Sequence, residues 1–142
     1  MTVPASLKGA LIAVALAALT GRWDLFCPAV QAPLALSRLS IRQATALKCR
    51  CCGRGGLNGA FLHRVLRLQR MWGRELAFTS GFRCPSHNVG VGGAAHSRHM
   101  LGLAADVAVA PRRQKDFCKM AHRAGFAKVL PDAARGYVHI SL

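Results

Sequence analysis

The chain has 142 residues, which suits one domain and leaves little room for two sizeable cores. Hydrophobic residues make up 52% of it, so global disorder is excluded. Lys and Arg number 20 against 5 acids, and a net charge of +15 implies anionic surroundings: nucleic acid, anionic lipid or an anionic cell envelope. The basic residues are spread along the chain with no long run. Neither an aromatic-rich RNA signature nor a cysteine–histidine finger spacing accompanies them, which argues against nucleic acid.

Residues 1–46 differ in character from the rest and are expected to be an apolar segment and linker, with a folded domain over 47–142. Within them Leu7–Leu19 reads LKGALIAVALAAL. The run Gly9–Leu19 is shorter than the roughly 20 residues a membrane span needs. It fits the apolar part of an export signal, with Lys8 as a weak basic flank, or an alanine-rich helix packed on the domain. A small-x-small site stands at Val30–Gln31–Ala32, although Pro33 after it would hinder cleavage. The two readings stay open. One implies a periplasmic or extracellular location through residues 1–32, or membrane association through 7–19. The other implies a cytoplasmic protein. A monomer is expected.

From Lys48 the pattern tightens. GRGGLNG (53–59) reads as a loop whose Asn58 caps a helix. Phe61, Leu62, Val65, Leu66 and Trp72 recur at helical spacing up to Gly73, with arginines opposite. Leu76–Thr79 reads as a short strand and Ser80–Gly93 as a glycine-rich loop. Ala104–Val109 alternates around Asp106 as a strand does. Pro111 opens a second helix with Phe117, Met120, Ala121 and Ala124 on one face, and Gly125 ends it. Ala127–Leu130 and Tyr137–Ser141 read as arms of a hairpin around PDAARG. This order is α+β.

Six cysteines are present, three of them in KCRCCG. C-x-C-C lacks a second pair at zinc-finger spacing, which weakens a metal reading. An exported chain would favour a disulfide from this cluster to Cys84, and a cytosolic one buried thiols. Pairing is not legible.

His99 closes a loop and Asp106 lies on the next strand, with Gly102 bending the backbone between them; His139 is in the last strand. Two histidines and a carboxylate leave a fourth zinc position open, as catalytic sites need. The spacing alone is weak. The wider set is more specific: TSGFRCPSHN, VGG, SRHMLGLAAD and a terminal YVHI. Over about residues 47–142 it resembles the zinc D-Ala-D-Ala carboxypeptidase family, which includes vancomycin-resistance dipeptidases and many phage endolysins. KCRCCG resembles the cysteine-rich loop of one variant of that family.

The resemblance implies a hedgehog/DD-peptidase fold, a small antiparallel sheet with flanking helices. It implies Zn2+ on His99, Asp106 and His139, and cleavage of peptidoglycan peptide at or near D-alanine. Arg83 would bind the substrate carbonyl oxygen or carboxylate; its plainer role is a loop-to-sheet salt bridge. Ser80, Asn88 and Ser97 would shape loops, His87 and His96 would lie outside the ligand set, and Tyr137 would pack in the core or near the site. Relatives carry a carboxylate base three residues before the last histidine or two after it. Gly136 and Ser141 occupy those places here. By strand alternation, an acid at 141 would share the face of His139 and supply the base. Asp132, in the hairpin turn, is the acid placed to fold over the site. The rival class is a zinc-containing cell-wall-binding module without catalysis, and a basic nucleic-acid binder ranks third.

Overall fold

The computed structural model describes residues 38–142, and the apolar run 7–19 and export signal 1–32 lie outside them. Four helices and four strands follow in the order α1 (Ile41–Ala46), α2 (Gly59–Trp72), β1 (Phe78–Ser80), α3 (Pro85–Gly90), a 3-10 turn (Arg98–Leu101), β2 (Ala104–Ala108), α4 (Pro111–Ala124), β3 (Lys128–Asp132) and β4 (Tyr137–Ser141). This is the α+β class expected. Among the described residues no helix is long and apolar enough to cross a membrane.

Helix α2 begins where Asn58 accepts from the N–H groups of Ala60 and Phe61, and ends at Gly73, whose φ of 71° glycine adopts without strain. Its inward face is Phe61, Val65, Leu68 and Gln69, rotated slightly from the face the sequence implied, because Leu62 and Leu66 are only half-buried. Helix α4 opens on Pro111, closes at Gly125 and buries Phe117, Ala121 and Ala124. Trp72 meets Phe117 edge-on with centroids 5.1 Å apart, and Phe61 meets Phe126 at 5.5 Å. Such aromatic pairs add about 0.5–1.5 kcal/mol each beyond the area they bury.

The sheet is antiparallel with order β1-β2-β4-β3. Ala105 and Val107 of β2 lie across from Ile140 and Val138 of β4, and all four are buried in the helix-side core. Because side chains alternate, the intervening residues Asp106 and His139, themselves register partners, occupy the other face. That alternation sets a rigid polar pair on the back of a hydrophobic sheet.

Three elements depart from the sequence reading. Residues 41–46, expected as linker, form α1. Ser40 and Gln43 make a reciprocal capping box, and the buried Gln43 amide donates to Gln69 (2.6 Å) and to Leu76 O (2.9 Å). The folded body therefore takes in residues before 47. Part of the expected Ser80–Gly93 loop is α3, capped by Cys84 with Pro85 at its first turn. Strand β3 runs on to Asp132, two residues past the expected end, and Asp132 pairs with Tyr137.

Candidate metal centre

Ser97, Arg98, His99 and Gly102 build a tight corner before β2. The Ser97 hydroxyl accepts from His99 N–H, and Gly102 takes φ 68°. A Cβ at Gly102 would lie 1.7 Å from Gly56 O, so glycine is needed for closeness as well as for φ. The corner turns the His99 ring toward β2, and His99 is 4% exposed. Its Nδ1 lies 2.7 Å from Gly81 O. A carbonyl only accepts, so Nδ1 carries a hydrogen, and Nε2 is the ring nitrogen that faces Asp106 and His139.

His99 Nε2, His139 Nδ1 and Asp106 Oδ1 converge within 4.8 Å of one another. Nε2 to Nδ1 is 3.3 Å, Nε2 to Oδ1 is 3.5 Å and Nδ1 to Oδ1 is 2.8 Å. A tetrahedral zinc with ligands at about 2.0–2.1 Å separates its donors by about 3.4 Å. Two of the three edges meet that value. The third is shorter, as it is when a proton on His139 Nδ1 bonds the carboxylate directly. The donor set thus fits a small divalent cation without rearrangement of the backbone.

Asp106 is buried, which by itself raises its pKa, but hydrogen bonds with His139 and His99 outweigh burial and hold the carboxyl well below the usual range. Its second oxygen, Oδ2, accepts from Arg83 Nη2 at 2.8 Å. Arg83 Nε donates to Ser80 Oγ at 3.0 Å, and Nη1 makes no hydrogen bond among the described residues. The loop-to-sheet salt bridge considered for Arg83 is therefore present, and it braces Asp106.

The three donors and Arg83 line a cavity of about 320 Å³, together with Ser97, Asp132, Arg135 and Tyr137. A neighbouring cavity of about 530 Å³ shares Arg83, Asp106, Arg135 and Tyr137 and adds Arg50 and Thr79. Asp132 is thus brought to the site, though it closes a strand instead of lying in the turn. Arg135 donates to it twice, from its backbone N–H (2.9 Å) and from Nε (2.7 Å). These bonds hold the Asp132 carboxyl below its ordinary value, the backbone N–H contributing most. The Gln114 amide, unsuspected from sequence, reaches Asp132 O (3.0 Å) and Tyr137 O (3.1 Å) and fixes this hairpin to α4.

Ser141 is not at the site. It is 1% exposed and does not line the cavity, and it pairs Ala104 and Lys128 farther along β4. Sharing a strand face with His139 is not sharing its solvent. Gly136 is in the turn with φ 68°, a conformation that selects glycine over an acid. Tyr137 is half-buried in the cavity wall and not in the core, and His96 is exposed. Asn88 is buried and holds Ala94 O, so it shapes the loop as expected.

Cys49, Cys51, Cys52 and Cys84 also gather within 4.8 Å. His87 Nδ1 is 3.3 Å from Cys49 Sγ. Burial opposes ionisation of Cys49, yet the backbone N–H of Cys84 and the His87 ring lead the interactions that lower it to about 5. Cys51, hydrogen-bonded to the Cys84 and Cys49 sulfurs, is pushed up to about 12. Cys51 and Cys52 are exposed, so these are not four buried thiols. Cys118 is half-buried and belongs to neither metal-capable group.

Two imidazoles and one carboxylate, held by a 3-10 corner and two paired strands and open on one side to a groove, have the composition of a catalytic metal centre. Residues 41–141 match the family model Peptidase M15, and the chain belongs to that family of zinc-dependent metallopeptidases. No curated protein matches the chain.

Proposed function

We propose that the protein is a zinc peptidase that cuts peptidoglycan peptides at or near D-alanine, with His99, Asp106 and His139 as its ligands. The convergence of these three donors at the floor of an open cavity carries the reading. Zinc held there would polarise the scissile carbonyl and acidify water. Gly81 O accepts from His99 Nδ1 and so orients Nε2 as the nitrogen facing the other two ligands. Arg83 holds Asp106 Oδ2 and turns Oδ1 toward the histidines, while Nη1 remains for a substrate oxygen. Arg50, Arg83 and Arg135 along the joined cavities favour a substrate carrying carboxylates. Asp132 is the other acid in the cavity lining and takes the proton from water. The net charge of +15 suits an anionic cell envelope, reached through export by residues 1–32 or on lysis by a phage.

One observation favours a second reading, a zinc-containing wall-binding module with impaired catalysis. Both Asp132 oxygens are already engaged by Arg135. Zinc-loaded protein incubated with purified peptidoglycan, followed by mass spectrometry of soluble products, separates the two. Released muropeptide fragments support the peptidase; tight sedimentation with the wall and no fragments supports the module.

A further inference from the structure

We propose that Cys49, Cys51, Cys52 and Cys84 bind a second zinc ion, a closed structural site that clamps the loop carrying Gly81 and Arg83. The proposal is independent of the peptidase reading, since it rests on different residues.

Four sulfurs gather from two places in the chain. Cys49, Cys51 and Cys52 come from one tight turn, in which Gly53 N–H bonds Cys49 O (2.8 Å) and Cys49 N–H bonds Arg54 O (2.8 Å). Gly53 has φ 68°, so glycine lets the turn close. Cys84 arrives from the loop before α3, across the intervening residues 53–83.

Zn–S bonds of about 2.3 Å place tetrahedral sulfurs about 3.8 Å apart. Cys49 and Cys51 Sγ are 3.7 Å apart, and Cys51 and Cys84 Sγ 3.2 Å. Four thiolates satisfy a borderline-soft cation and leave no position for water, the mark of a structural site. The backbone is prepared for negative sulfur: Cys84 N–H donates to Cys49 Sγ and His87 N–H to Cys84 Sγ, each at 3.4 Å. Arg54 lies against Cys52.

The position gives the site its purpose. Cys84 directly follows Arg83, which braces Asp106, and Gly81 of the same loop orients His99. Phe82 N–H bonds Leu47 O at 2.9 Å, two residues before Cys49. A metal joining 49–52 to 84 would therefore hold one end of the short segment on which two members of the first centre depend, while the Phe82–Leu47 bond holds the other. The competing outcome for the same sulfurs is a Cys51–Cys84 disulfide, which would bind no metal.

The test is native mass spectrometry and thiol titration of the full chain, purified with reductant and zinc. The expected counts are two zinc ions per chain in the wild type and one in His139→Ala. One is also expected in Cys51→Ser/Cys52→Ser, whose altered residues are exposed. Amide exchange over residues 80–88 should quicken in the cysteine variant and not in His139→Ala. Cobalt substitution of the wild type supplies a readout that needs no variant to fold: a thiolate-to-cobalt charge-transfer band should appear. A single zinc that His139→Ala abolishes, or a cobalt protein without the thiolate band, overturns the proposal. A thiol count lowered by two in protein purified with reductant, then denatured and chelated, does so as well.

Discussion

Gly81→Ala is expected to damage stability and the metal centre together. A Cβ at Gly81 would sit 2.4 Å from Leu47 O, 2.5 Å from Leu47 Cα and 2.8 Å from Leu47 C. All three are backbone atoms, so no side-chain rotation relieves the overlap. Overpacking of this kind costs about 1–3 kcal/mol. In a domain of this size each kcal/mol moves Tm by about 4–8 °C, so a fall of roughly 5–20 °C is expected. The strand end must shift away from Leu47, which stretches the Gly81 O contact to His99 Nδ1. Loss of such an outer hydrogen bond weakens metal affinity by about 10–100-fold. The assays are thermal melts with chelator and with zinc, and zinc competition against a chromophoric chelator. Gly59→Ala is the control, because its Cβ meets nothing within 4 Å and it opens a helix, so its Tm should hold or rise. If Gly81→Ala keeps both the wild-type Tm and the wild-type zinc affinity, the close approach to Leu47 does not govern the site and the reasoning is refuted.

Ser141→Asp should lower stability, by on the order of 4 kcal/mol from a carboxyl forced into a 1%-exposed place, and give no gain in turnover; a faster, equally stable enzyme would return Ser141 to the site. Asp132→Asn should cut turnover on muropeptides by about 10²–10⁴-fold at unchanged zinc content, read from initial rates beside metal analysis. In metal-free protein the lowered Asp106 carboxyl contributes stability that is present above its unfolded pKa of about 3.9 and is lost as pH falls through the lower folded value. Urea melts of Asp106→Asn should therefore show a flatter acid limb than the wild type below about pH 4, and parallel limbs would contradict this sign.

The long helices were legible because each carries a start signal, a stop signal and apolar spacing: the Asn58 cap and Gly73 for α2, Pro111 in the first turn and Gly125 for α4. The short ones were hidden. Helix α1 has six residues and one buried position, Gln43, so it shows no apolar stripe, although Ser40 and Gln43 spell a capping box. Helix α3 sits among glycines and is marked only by Cys84–Pro85. His99, Asp106 and His139 stood out as a set only through the resemblance, since their spacing is common; the sheet register that makes Asp106 and His139 partners is not written locally. The cysteine group escaped for a related reason. Spacing rules look for two nearby pairs, and here three donors are local while the fourth is brought in by the fold. Ser141 shows the limit of periodicity: alternation gave its face correctly, but not that its end of the strand is buried.

The most direct measurement is the release of soluble muropeptides from purified peptidoglycan, quantified by mass spectrometry, for zinc-loaded wild type and His139→Ala side by side with metal analysis. The expected result is fragments ending at or near D-alanine from the wild type, abolished by chelator, restored by zinc and absent in His139→Ala, which has lost the metal of that centre. Fragment release by His139→Ala at the wild-type rate, or none from a wild type fully loaded at His99, Asp106 and His139, would contradict it.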